Sequence, residues 1–269
     1  MKLRIMRADP AGNITVFVLD PVAKEQRIPI SRAIMDMPEF KAEQVGFACE
    51  CASDADEIDG HMEMASGGLC GNATRAYGMY IARKKGIKGK ASLKLSVSGA
   101  VKPVCVDVDT DAGSARSQMP LPLFAHKIND CTEGTLVHLG GIAHFVVKGI
   151  DPSVSFLEKV EPMLEEIANI NAYGVMFLQK DGKTMTPLVK VPSAGSLVWE
   201  GSCGSGTLAA AVAASIDLPD GEYSFEFVQP AGNLKAEVKK SSGEITETYI
   251  GGPVSLGKIQ TVDLDIPQA

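Results

Sequence analysis

The apolar-rich runs over residues 3–8 and 14–19, broken by few polar positions, predict two strands. The intervening Asp9-Pro10-Ala11-Gly12-Asn13 supplies turn chemistry, so the chain opens on a hairpin. Residues 31–40 read as a modest helix, 43–48 as a strand, and 61–65 as a strand leading into the flexible Ser66-Gly67-Gly68. From Gly71 onward, Ala73, Ala76, Tyr77 and Tyr80 recur at helical spacing. Arg83-Lys84-Lys85-Gly86 then supplies the cations and glycine of a helix C-terminus. Strand patterning resumes over 93–97 and 104–108, and Pro120 and Pro122 mark a crossing between domains. The second half repeats this order. Strands over 136–148, a helix over 153–168 and strands over 175–179, 186–191 and 196–199 precede a helix that opens at Cys203. Leu208-Ala209-Ala210-Ala211-Val212-Ala213-Ala214 is apolar on every face, which predicts a helix buried against sheet. Strands over 225–229, 234–239 and 246–250 follow.

This pattern predicts an α/β (α+β) protein of two similar domains, each a strand-rich sheet or half-barrel around a central helix. The expected boundaries are 1–119, with 257–269 returning to it, and 120–256. The 269 residues, 45% hydrophobic, suffice for two cores. A net charge of −7 with no Lys/Arg stripe argues against nucleic acid or an anionic membrane as partner. The N-terminal apolar run is broken by charges and no later run has membrane length, so a soluble, cytoplasmic protein is expected. Six cysteines in a chain this long read as reduced thiols rather than a disulfide framework. Cys49 and Cys51 are too close for a zinc or redox pair and read as alternating strand positions. Cys105 and Cys131 read as structural.

Two cysteines stand apart. Leu69-Cys70-Gly71-Asn72-Ala73-Thr74-Arg75 and Ser202-Cys203-Gly204-Ser205-Gly206-Thr207 each place a thiol at the positive end of a helix dipole. Inverting a carbon centre by proton transfer needs one group to remove the proton from one face and another to deliver a proton to the other. Two such thiols can exchange these roles. The unpaired N–H groups at the helix starts, around Gly71, Asn72, Gly204 and Ser205, can hold an α-carboxylate and stabilise carbanion charge.

These two segments resemble the catalytic motifs of the diaminopimelate epimerase-like superfamily of cofactor-independent racemases. Asp9-Pro10-Ala11-Gly12-Asn13-Ile14-Thr15, Glu43-Gln44-Val45-Gly46-Phe47, Ser196-Leu197-Val198-Trp199-Glu200 and Gln229-Pro230-Ala231-Gly232-Asn233 extend the resemblance over most of the chain. They look closest to the histidine racemases of staphylopine-type metallophore pathways. The resemblance implies Cys70 and Cys203 as the acid/base pair, Glu43 at the active site and Glu200 on the substrate amine, in a cleft between the domains. It implies no pyridoxal phosphate and no metal. The chain departs from diaminopimelate epimerases where they hold a distal amino-acid head: Gly201 replaces an arginine, and His61, Ile142 and Gly174 replace asparagines. Without that guanidinium fork, a distal carboxylate loses its bidentate partner. A smaller, aromatic or imidazole side chain fits better, with Glu43, His61 and Asn13 as candidate contacts.

The expected activity is therefore racemisation of an amino acid, histidine above others, with a small-molecule amino acid as partner and a homodimer compatible with the sequence. Two other readings share some of these residues. A phenazine-type isomerase would use Glu43 as proton carrier, and a non-catalytic binder of a small amino acid would keep only the carboxylate-holding helix ends.

Overall fold

The computed structural model describes residues 1–50, 58–129 and 133–266. Cys51 and Cys131 lie outside these. The chain divides into two compact units, Met1–Ser117 with Gly251–Ala269, and Gln118–Ile250.

In the first unit, β1 (Lys2–Asp9) and β2 (Thr15–Val18) form the expected antiparallel hairpin. The strands β3 (Gln44–Cys49), β4 (Gly60–Met64), β5 (Lys90–Val97), β6 (Val104–Asp109) and β7 (Ser114–Gln118) complete it, with helices α1 (Lys24–Met35) and α2 (Gly71–Lys84). The strand β17 (Ser255–Asp263) returns to pair antiparallel with β1, giving the order β7-β6-β5-β4-β3-β2-β1-β17. Both faces of this sheet are covered. Leu3, Ile5, Val16, Val18, Val45 and Phe47 pack with Ile30 and Ile34 of α1. Met6, Ala8, Phe17, Met62 and Met64 point the other way, onto Ala73, Ala76, Tyr77 and Tyr80 of α2. Successive strand residues alternate sides, so a strand with a helix on each face is buried throughout, as all four residues of β2 are.

The expected helix over 31–40 starts seven residues too late and ends five too late, the helix α1 running Lys24–Met35. The first turns of α1, with Lys24, Glu25, Gln26 and Arg27, are polar and carry no apolar stripe. Pro29 also sits inside the helix rather than before it.

The second unit repeats the plan. Its six-stranded sheet runs β13-β12-β11-β10-β9-β8, built from β8 (Phe124–Ile128), β9 (Gly134–His138), β10 (Ile142–Lys148), β11 (Ala172–Leu178), β12 (Met185–Val191) and β13 (Ser196–Trp199). Helix α3 (Val154–Glu165) is capped by Ser153, whose hydroxyl accepts from the Phe156 N–H at 3.2 Å, and it covers the face of Ala143, Phe145, Val147, Val175 and Phe177. Helix α4 (Gly204–Ser215) covers the other face, against Val137, Val146, Met176 and Val189. The antiparallel strands β14 (Gly221–Gln229), β15 (Gly232–Ser241) and β16 (Glu244–Pro253) supply Phe227, Ala236, Val238 and Ile250 to that same core. Enclosure on all sides explains why α4 needs no polar stripe. Among the described residues, no helix is long and apolar enough to cross a membrane.

Candidate active site

The two cysteine-led helices have the same start. Cys70 and Cys203 are the N-caps of α2 and α4, both in extended conformation (φ −121°, ψ 109° and φ −111°, ψ 113°). Each sulfur accepts the N–H three residues on: Ala73 N to Cys70 Sγ at 3.4 Å, Gly206 N to Cys203 Sγ at 3.3 Å. Each cysteine carbonyl is gripped by the threonine four residues on, Thr74 Oγ1 at 2.8 Å and Thr207 Oγ1 at 2.6 Å. The sulfur thus occupies the place of a capping hydroxyl or carboxylate, where backbone N–H groups and the helix dipole favour an anion. The described cysteines, Cys49, Cys70, Cys105 and Cys203, are all free thiols.

Around Cys70 the predicted residues converge. Asn13, in the hairpin turn, donates from Nδ2 to Glu43 Oε2 at 2.6 Å. Its Oδ1 accepts from Gln44 Nε2 at 2.7 Å and Asn72 Nδ2 at 3.3 Å, and lies 4.0 Å from Cys70 Sγ. Partial burial raises the pKa of the Glu43 carboxyl, the Asn13 bond draws it back, and the charge of Asp9 adds a smaller upward push. The approach to Cys70 is held by a close crossing: a Cβ on Gly99 would lie 2.3 Å from Leu69 N, and Ser98 Oγ donates to Gly68 O at 3.1 Å.

Cys203 sits in a drier place. It is 3% exposed, and its N–H donates to Gln229 Oε1 at 2.8 Å while Gln229 Nε2 donates to Thr207 Oγ1 at 2.9 Å. Burial pushes the Cys203 thiol well above the usual thiol range, and Glu200 adds to this by charge and hydrogen bond; Ser205 and the Gly206 N–H oppose it. Ser205 Oγ lies 3.5 Å from the sulfur and 2.8 Å from Nε2 of His144, which is fully buried on β10 facing α4. The other ring nitrogen of His144 is buried without a partner, and burial pulls this histidine down to about 3, so it is neutral near pH 7. Gly206 is dictated by packing: a Cβ there would lie 2.1 Å from Met176 Sδ and 3.1 Å from the Cys203 sulfur.

His61 is not brought to Cys70. Strand alternation puts it with Glu63 on the α1 side of the sheet, opposite Met62 and Met64, paired in register with Cys49. Cys49, His61 and Glu63 bring three ligand atoms within 4.8 Å, but a cation is already seated there: Arg27 pairs with Glu63 and reaches Cys49 Sγ at 3.5 Å. Gly174 faces the carbonyl of Leu188, which a Cβ would approach to 2.3 Å, so a larger residue cannot stand there on this backbone.

Three contributors escaped the sequence reading. Arg75 and Gln229 lie inside the quoted motifs, and their roles appear only once their distant partners are in place. His144 had one signal, a polar residue in the apolar run Ile142-Ala143-His144-Phe145-Val146-Val147.

A strand-rich α+β scaffold with two cysteine-capped helices, taken with histidine racemase relatives, places the chain among isomerases of the racemase and epimerase class. Solved structures with this fold include a phenazine biosynthesis protein of the PhzF family from Bacillus anthracis (TM-score 0.70, 16% identity, 98% of this chain and 100% of that one). A hydroxyproline epimerase from Agrobacterium vitis with bound trans-4-OH-L-proline is also similar (TM-score 0.68, 15% identity, 99% of this chain and 94% of that one). The chain belongs to the family described as histidine racemase CntK N-terminal domain, which matches residues 2–259. Curated relatives are a histidine racemase of Fusobacterium nucleatum, 31% identical over 96% of both chains, and one of Staphylococcus aureus, 26% identical over 94% of both.

Proposed function

We propose that this chain interconverts L- and D-histidine, with Cys70 and Cys203 as the two proton carriers. The observation that carries the reading is the duplicated cap, in which each thiol receives a helix N–H and a threonine locks its carbonyl. In the reaction a thiolate takes the α-proton, breaking C–H and forming S–H. The electron pair delocalises into the substrate carboxylate, and the other thiol returns a proton to the opposite face. Helix N–H groups at Gly71 and Asn72, and at Gly204 and Ser205, hold that carboxylate as its charge grows. Glu200 takes the substrate ammonium, and Glu43, oriented by Asn13, accepts from the imidazole N–H. These parts suffice without pyridoxal phosphate or metal. The cytoplasm, where thiols stay reduced, is the proposed place of work.

Family membership and the intact second thiol favour this over a reaction carried by Glu43 alone. Incubation with single L-amino acids in deuterated water, followed by chiral chromatography and mass spectrometry, is the test. Histidine is expected to racemise with α-deuterium uptake, and Cys70→Ser and Cys203→Ser to abolish it. Unchanged turnover in both variants sinks the two-thiol mechanism. Loss confined to Glu43→Gln would favour a phenazine-type proton transfer, and binding with no exchange in any amino acid would leave a binder.

A further inference from the structure

The two caps differ in the charge around them. Arg75, one turn into α2 from Cys70, is fully buried. Its hydrogen bonds all end on neutral oxygens: Pro10 O at 2.9 Å, Gly252 O at 2.9 Å, Pro253 O at 3.0 Å, and Asn72 Oδ1 at 3.2 and 3.3 Å. A guanidinium removed from water with no anion beside it is costly. Burial disfavours the charge on Arg75, and a negative charge on Cys70, the cap of the same helix, would favour it. Asn72 joins the two, since its Oδ1 accepts from Arg75 while its Nδ2 donates to the Asn13 oxygen, which also accepts from the Cys70 S–H at 4.0 Å until that proton is lost. The opposing charges on that side are Glu43, bonded to Asn13, and Asp9, which Arg7 already pairs at 3.5 Å. Cys203 has the reverse surroundings. Its neighbours include the Glu200 carboxylate, Ser205 and, through Ser205, neutral His144.

We propose that Arg75 is the buried counter-charge of Cys70, a positioning residue that sets the resting protein with Cys70 as thiolate and Cys203 as thiol. This rests on the reading of the two cysteines as the proton carriers. Its consequence is a direction: the free protein is ready for the enantiomer whose α-proton meets Cys70, and each turnover leaves the proton pattern reversed. The other enantiomer uses that reversed form.

The test is alkylation of the full chain by iodoacetamide between about pH 5 and 10, with each cysteine followed separately by mass spectrometry and no amino acid present. Cys70 is expected to ionise with a midpoint below the ordinary thiol value of about 8.5. Arg75→Gln should raise that midpoint by at least about one pH unit, within the range of about 1–3 units for an adjacent opposite charge. Arg75→Lys, which keeps the charge, should raise it less. A wild-type Cys70 midpoint at or above the ordinary value overturns the proposal, and so does an equal response to Arg75→Gln and Arg75→Lys. If Arg75→Gln does not fold, the wild-type midpoint and Arg75→Lys still decide. Racemisation is not the readout, so the two-thiol reaction stands or falls separately on Cys70→Ser and Cys203→Ser.

Discussion

Asn13 Nδ2 donates to Glu43 Oε2 at 2.6 Å, joining the hairpin turn to the residue just before β3. The same amide presents its oxygen to Gln44 and Asn72, so one side chain orients the carboxylate and the first cysteine-led helix together. Asn13→Ala is expected to lower kcat/KM for histidine by about 10–100-fold, equivalent to about 1.4–2.7 kcal/mol of transition-state stabilisation. Asn13→Asp, which sets a second carboxylate beside Glu43, should raise the Glu43 pKa further and move the acid limb of the pH profile upward. Chiral assay of both variants across pH measures these effects.

Gln229 is the corresponding clamp in the second unit, tying the Cys203 N–H to Thr207. Gln229→Ala leaves a buried N–H without its acceptor and is expected to cost about 1–3 kcal/mol of stability. Urea unfolding reads this directly, and the activity loss should exceed what the unfolded fraction explains, because the cap holding the sulfur is loosened.

Gly206 and Gly174 should respond differently to alanine. At Gly206 the new methyl meets the end of a methionine side chain and the Cys203 sulfur, so Gly206→Ala with Met176→Ala is expected to regain stability but not full activity. At Gly174 it meets the Leu188 carbonyl, which cannot rotate away. Gly174→Ala should cost about 1–3 kcal/mol or more and gain nothing from side-chain changes nearby. Thermal melts beside the chiral assay separate the two cases.

His144 makes a signed prediction about acid. Its pKa falls from 6.5 to about 3 on folding, so the unfolded chain takes up a proton that the folded chain refuses. The stability tied to a neutral His144 is therefore complete above about pH 6.5 and is lost, at up to about 1.4 kcal/mol per pH unit, as pH falls toward 3. His144→Asn keeps a polar partner near Ser205 and removes the titration. Its stability should fall less steeply over that window than wild type, as measured by urea unfolding at several pH values.

The parts of this molecule that depend on local chemistry were legible in the sequence. Alternation and short apolar runs exposed most strands, glycine and basic residues marked the end of α2, and the cysteine–glycine segments announced two similar helix starts. What failed locally failed for a physical reason. The first turns of α1 are polar, and β7 and β8, with sequences SARSQ and FAHKI, lack a clean alternating stripe. Convergence was harder to see: no pattern within one segment says that Asn13, Glu43 and Asn72 meet, or that Arg75 ends on carbonyls at Pro10, Gly252 and Pro253. His61 illustrates the limit, since the rule that makes it a strand residue also turns it away from α2, and only the placement of α1 and α2 tells the two faces apart.

The return of β17 to β1, with Lys2 opposite Asp263, has a consequence for how the chain emerges during synthesis. The second unit is one uninterrupted stretch, and the last of its strands, β16, is complete once Pro253 has been made. The first unit, begun earlier, waits for the final strand before the outer edge of β1 is paired. Until then that edge presents unpaired backbone groups, the place where a nascent chain is most open to a stray strand. Of the two units, the one begun earlier is thus sealed later.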